Sequence, residues 1–200
     1  LGVEGQGKKG ARVLEAPGTY WEYNDVRVNR LSLALLRRFQ RPLPEVFAER
    51  IMRPIGASET WKWEGYRTSW VTLEDGRRVQ SVPGGTHWGG GVTISAEDQA
   101  RIGLLALNRG NWAGQQILPA SWFDQSTTPC ALNPHYGFLW WLNSDGARYP
   151  AAGRDAFFAS GAGGNLTWVE PSRGIVTVLR WTDPASMGGI IARVLGALEG

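Results

Sequence analysis

The chain has little sulfur and little histidine. Its one cysteine, Cys130, excludes an internal disulfide and a thiolate metal cage. Its two histidines, His87 and His135, stand far apart with no second ligand at helical or turn spacing, so no His/Cys zinc pattern is present and no cofactor is expected. No run of about 18 apolar residues occurs, which excludes a hydrophobic membrane-spanning helix. Charge of one sign is scarce as well. Lys plus Arg number 21 against 18 Asp plus Glu, and the only basic doublets are Lys8-Lys9, Arg37-Arg38 and Arg77-Arg78. A phosphate-tracking surface needs more clustering, so nucleic acid is not expected as a partner. The first ten residues, polar and glycine-rich, lack the apolar segment and small-residue cleavage site of a signal peptide.

What the chain does have is glycine and tryptophan. Across 200 residues there are 27 glycines and 11 tryptophans, with 42% hydrophobic and 20% charged residues overall. That balance suits one globular domain with a packed core, taken here as residues 1–200. So much Trp implies either aromatic-walled clefts or a Trp-heavy core, and composition does not choose between them.

Punctuation and periodicity give the segments. Pro17-Gly18-Thr19 is a turn, and Asn24 or Asp25 then offers an N-cap for a helix over Val26–Phe39, with Val28, Leu31, Leu35 and Leu36 at helical spacing. A second helix fits Glu45–Met52 and ends at Pro54 and Gly56. A hairpin is predicted about Glu74-Asp75-Gly76, and Pro83–Gly91 is a glycine-dense loop. Ser95-Ala96-Glu97-Asp98 opens a helix over Ala96–Asn108 that Gly110 closes, and Pro119–Gln125 is a short helix. Tyr136–Leu142, aromatic on both faces, is predicted to be a buried strand. Three further strands are predicted at Ala156–Ser160, Asn165–Val169 and Ile175–Trp181, the last two joined by a turn at Pro171–Gly174. Pro184–Leu198 suits a closing helix. A helical region over about 20–130, then an antiparallel sheet with its closing helix over about 136–200, argues an α+β fold, an antiparallel sheet flanked by helices.

Single motifs for chemistry are weak. The loop at 84–91 lacks the Lys-Ser/Thr ending of a phosphate-binding loop, and no Gly-x-Ser-x-Gly nucleophile turn occurs. The 18 acids leave a two-carboxylate glycosidase arrangement open, but no pair stands out.

An ordered set of motifs is more telling. Pro17-Gly18-Thr19 and Tyr23-Asn24-Asp25 are followed by Arg50–Gly56, then by Gly89-Gly90-Gly91-Val92-Thr93-Ile94-Ser95-Ala96-Glu97-Asp98. Tyr136–Trp141 comes next, and Ala159-Ser160-Gly161-Ala162-Gly163-Gly164 leads into a strand and the Pro171 turn. Order and spacing resemble the serine hydrolases of the β-lactamase and penicillin-binding-protein fold, nearest the class C-like branch of esterases, D-amino-acid peptidases and amide hydrolases. The resemblance runs from Pro17 to the C-terminus.

Members of that family carry Ser-x-x-Lys, Tyr-x-Asn and Lys- or His-Thr/Ser-Gly. The resemblance implies that Tyr23 takes the proton of the nucleophile and returns it to the leaving group, its pKa held down by the lysine of the first motif. Asp25 stands where the family has Asn, so a carboxylate replaces an amide donor. It would pair with the lysine or with a cationic substrate, or serve as a plain N-cap. Ser160 and Gly161 match the strand motif, with Ala159 in place of its cation, which argues against carboxylated, penicillin-type substrates and for esters or neutral amides. The backbone N–H of Ala162 would be an oxyanion donor. His87 and Trp88 would wall the substrate cleft. The alternative for each is ordinary packing: an aromatic staple at Tyr23, a glycine-weakened edge strand at 159–162, a surface histidine beside a packed Trp.

None of the eleven serines has a lysine three residues on; Ser58 comes nearest, with Lys62 one residue too far. The nucleophile is therefore expected upstream of residue 1, and the missing N-terminal segment of the same domain is an expected partner. The implied whole is a bacterial-type serine hydrolase that forms an acyl-enzyme on a small ester, amide or peptide. The alternative is a non-catalytic binding module on the same scaffold, and the Trp content leaves a carbohydrate-binding reading as a third.

Overall fold

The computed structural model describes residues 15–84 and 91–198. Backbone contacts group the chain into two compact units, Leu1–Ser95 and Ala96–Gly200.

In the first unit, helix α1 (Asp25–Phe39) starts where Asn24 caps it, its side chain accepting from the Arg27 N–H at 3.1 Å. It stops at Gln40, which turns left-handed and takes the Glu74 N–H on its own side-chain oxygen at 3.0 Å. Helix α2 (Leu43–Phe47) runs straight into a wider turn, Ala48–Met52, closed by Arg53 N–H to the Ala48 carbonyl at 2.9 Å. The expected second helix is thus present, but it starts earlier and changes its winding halfway. Strand β1 (Lys62–Glu64) pairs with β4 (Gly91–Thr93), and β2 (Trp70–Thr72) forms the expected hairpin with β3 (Arg78–Gln80). Leu36, Leu43, Leu73 and Val82 make the core, closed by Trp63, Val71 and Val79. Phe47 meets Trp61 and Trp63 edge-on at 5.4 and 5.8 Å, so part of the tryptophan content is core.

In the second unit, helix α3 (Ala96–Leu107) is followed by a two-residue hairpin of β5 (Asn111–Trp112) and β6 (Gln115–Gln116), and then by α4 (Ala120–Ser126). Four strands form one antiparallel sheet in the order β10-β9-β8-β7. They are β7 (Trp141–Leu142), β8 (Phe157–Gly161), β9 (Asn165–Glu170) and β10 (Ile175–Leu179); α5 (Met187–Gly196) follows. Alternation sends Phe158, Leu166 and Trp168 to one face, where they pack with Met187, Ile191 and Leu195 of α5. Phe157 and Val169 go to the other face, where they meet Ala106 of α3 and Phe123 of α4. With helices on both faces, β9 is buried from Leu166 to Glu170. Fully burying Trp168 removes about 200 Å² of ring from water, on the order of 5 kcal/mol. The mixed helix and antiparallel-sheet class is the expected one.

One expected strand is not there. Tyr136–Leu142 is a reversal, in which only Trp141 and Leu142 pair as strand, and Phe138 and Leu139 are 56% and 54% exposed. The cause is distant in sequence: the Ser126 carbonyl takes the Phe138 N–H at 2.8 Å and leaves no room for a Cβ on Gly137. The chain turns there, with Gly137 N–H on the Trp140 carbonyl and Tyr136 bridged to Trp141.

Candidate functional site

Strand β8 carries the motif Ala159-Ser160-Gly161. On one side the three residues pair with Thr167, Leu166 and Asn165 of β9. On the other side β7 reaches only Phe157 and Phe158 before the reversal at 137–140 takes the chain away. Among the described residues, Ala159–Gly161 therefore have no strand partner on that side. Such an edge presents backbone donors and acceptors to an extended ligand. Ser160 is half-buried, and Ala159, Gly161 and Ala162 are exposed.

The turn that follows is tied down by one amide side chain. Asn165 donates to the Ala162 carbonyl at 2.7 Å, and its oxygen accepts from Arg180 Nε at 3.0 Å and the Trp181 N–H at 3.4 Å. The Thr182 N–H reaches the Gly164 carbonyl at 3.1 Å. Gly163 and Gly164 both take positive φ, 78° and 72°, which lets the turn lie flat beneath residues 181–182. The sequence reading did not single out Asn165 or Trp181. An asparagine directly after a Gly-Gly pair is the signal for a side-chain-stapled turn.

At the far end of β9, Glu170 is fully buried yet saturated. It accepts from the Gly153 N–H at 2.7 Å, Trp168 Nε1 at 3.0 Å, the Ser172 hydroxyl at 3.2 Å and Arg173 at 3.0 Å. Four donors on one carboxylate make it a structural clamp.

Tyr23, Asn24 and Asp25 belong to the first unit, at the start of α1. Asn24, not Asp25, is the cap, and its amide also donates to Glu22 at 2.9 Å. Asp25 occupies the first helical turn. Tyr23 is 42% exposed. Its phenol is pushed above the ordinary value of 10.0, first by burial and then by the negative charge of Asp25. A phenol that is to carry a proton needs the opposite push, from a cation. His87 and Trp88 lie outside the described residues.

The comparisons with known proteins agree with the architecture. A Bacillus anthracis protein described as a 6-aminohexanoate-dimer hydrolase superposes with a TM-score of 0.69 at 23% identity, over 94% of this chain and 47% of its own. A Bacteroides dorei protein described as a β-lactamase superposes with a TM-score of 0.60 at 15% identity, over 84% of this chain and 53% of its own. At these identities the likeness is one of fold. The chain spans about half the length of the two solved structures. No curated protein matches it. The family model described as Beta-lactamase, however, matches residues 9–196, nearly the whole length, and the chain belongs to the β-lactamase family.

Proposed function

We propose that these residues are part of a serine hydrolase that opens an ester or a neutral amide through an acyl-enzyme, with the Ser-x-x-Lys nucleophile supplied from outside the 200 residues. The observation that carries this reading is the open edge of β8 at Ala159–Gly161, leading into the stapled turn at Ala162.

The substrate's acyl portion would lie along that edge as an added strand, hydrogen-bonded to its backbone, with the Ser160 hydroxyl as a further donor. Attack by the serine turns the carbonyl oxygen into an oxyanion, and the Ala162 N–H is the donor proposed to meet it. Tyr23 would accept the serine proton and pass it to the departing alcohol or amine; water then releases the acyl group by the reverse sequence. In this assignment the nucleophile's lysine also has a task at Tyr23: to overcome the upward push of burial and Asp25 on the phenol. Ala159 holds no charge for a substrate carboxylate, which favours uncharged acyl groups.

A second reading, a non-catalytic binding module, draws on the phenol of Tyr23, which burial and the negative charge of Asp25 push the wrong way for carrying a proton. One experiment separates the two. In a polypeptide extended upstream through an in-frame Ser-x-x-Lys, a fluorophosphonate probe labels one serine, and Tyr23→Phe slows labelling about 10²–10⁴-fold. Full-speed labelling in that variant removes Tyr23 from the mechanism, and no labelling of the extended protein favours the binding module.

A further inference from the structure

Trp181 combines two features that a folded chain ordinarily avoids. Its φ is 54°, in the left-handed region that bulky residues shun, and the residue is 76% exposed. Its place is nonetheless fixed. The indole sits on Gly163, where a Cβ would fall 2.6 Å from Cζ3 and 2.9 Å from Cε3. The Trp181 N–H is held by Asn165, the same side chain that holds the Ala162 carbonyl. Ring and turn are thus positioned by one staple, with the indole lying on the turn that directly follows Ala162 at the end of β8.

A second strained, exposed apolar residue lies at the same end of the sheet. Leu139 has φ 64° and is 54% exposed. Extending the β7–β8 register, in which Trp141 faces Phe158, places the 137–140 turn at the Ala159–Gly161 end of β8. The nearby cation, Arg180, has its Nε on Asn165. Ala159, at the start of the open edge, is exposed and carries no charge.

We infer that Trp181 is the apolar seat for the substrate segment next to the scissile carbonyl, and that this segment is neutral and aromatic or aliphatic. The inference rests on the hydrolase reading of the β8 edge. The strain at 181 keeps the indole face turned outward instead of folding it into the core, and an uncharged chain lying on it covers apolar surface that is otherwise in water.

The test uses the 200-residue chain and binding alone. Two probes, N-butyl phenylacetamide and its acyl-side carboxylate counterpart N-butyl (4-carboxyphenyl)acetamide, are titrated into ¹⁵N-labelled protein, with the Trp181 indole signal identified by its loss in Trp181→Phe. The neutral probe is expected to shift the amides of residues 160–162 together with that indole. Trp181→Ala should weaken its binding roughly three- to tenfold, Trp181→Phe should bind nearly as well as the parent, and the carboxylate probe should bind no tighter. Because the ring is largely exposed, the alanine variant should keep the parent urea midpoint, which is measured alongside. If the strand amides shift but Trp181→Ala binds like the parent, the seat is refuted and the edge reading stands. If the carboxylate probe binds tighter without moving the indole, Arg180 is the anchor and the seat is again refuted. If neither strand nor indole responds to either probe, the edge reading fails and takes the seat with it.

Discussion

Two glycines in the second unit allow the turn at the site to be weighed against a matched control. Gly164 and Gly174 have φ of 72° and 65°, the same left-handed well, and an alanine pays about 1–2 kcal/mol to enter it. At Gly174, in the turn between β9 and β10, an added Cβ meets nothing within 4 Å, so Gly174→Ala should cost only that amount. At Gly164 the added Cβ overlaps the carbonyl of Thr182, a backbone group that cannot rotate aside as a side chain would. Residues 181–182 must then lift away. The 3.1 Å bond from the Thr182 N–H to Gly164 goes with them, worth about 0.5–1.5 kcal/mol, and the two bonds that Asn165 receives from Arg180 and Trp181 stretch. Gly164→Ala should therefore cost about 3–5 kcal/mol, at least about 2 kcal/mol more than the control. Urea unfolding at matched slopes gives both numbers, and the amide spectrum of residues 160–165 shows where the change is felt. Equal losses in the two variants would refute the argument, since they would mean that the strand end above Gly164 yields freely and that the turn is not pinned.

Two further outcomes follow from the start of α1. Asn24→Ala removes the side-chain cap of α1, and should cost about 1 kcal/mol with a loss of helical signal at 222 nm; an unchanged urea midpoint would show that the cap bond contributes nothing. The raised phenol of Tyr23 makes stability depend on alkaline pH. A group whose folded pKa lies above its unfolded value near 10.0 contributes stability that is complete below that value and is lost as pH rises through the folded one. Unfolding free energy should fall more steeply above pH 10 in the parent than in Tyr23→Phe, and Asp25→Asn should shrink the difference by removing the smaller of the two causes. Parallel curves for parent and Tyr23→Phe would contradict the burial of that phenol.

Residues whose environment is local were readable, and those whose environment is made elsewhere in the chain were not. Strands β8, β9 and β10 declare themselves through apolar runs cut by Gly161–Gly164 and Pro171–Gly174, so the strand bearing Ser160 is legible in the order of residues alone, though not its open edge. The helix over Val26–Phe39 is legible for the same reason, down to the choice of two adjacent capping residues. Tyr136–Leu142 has equal strand character, yet its fate depends on the carbonyl of Ser126, which no periodicity reveals. The β5–β6 hairpin is hidden in the sequence because its corner is Ala113-Gly114, with Ala113 at φ 49°, where the usual signal is Asn or Asp before Gly. The same division runs through the site. The backbone at 159–162 is marked by its glycines, whereas the orientation of Trp181 is decided by Gly163 and Asn165 on a neighbouring turn. For Tyr23 the neighbours even reverse the direction: beside a lysine its phenol would be an acid strong enough to exchange protons, and beside Asp25, half out of water, it holds its proton more tightly. Chemistry at that phenol is thus a property of the charge set against it, which is why the residue alone names a position and not yet a role.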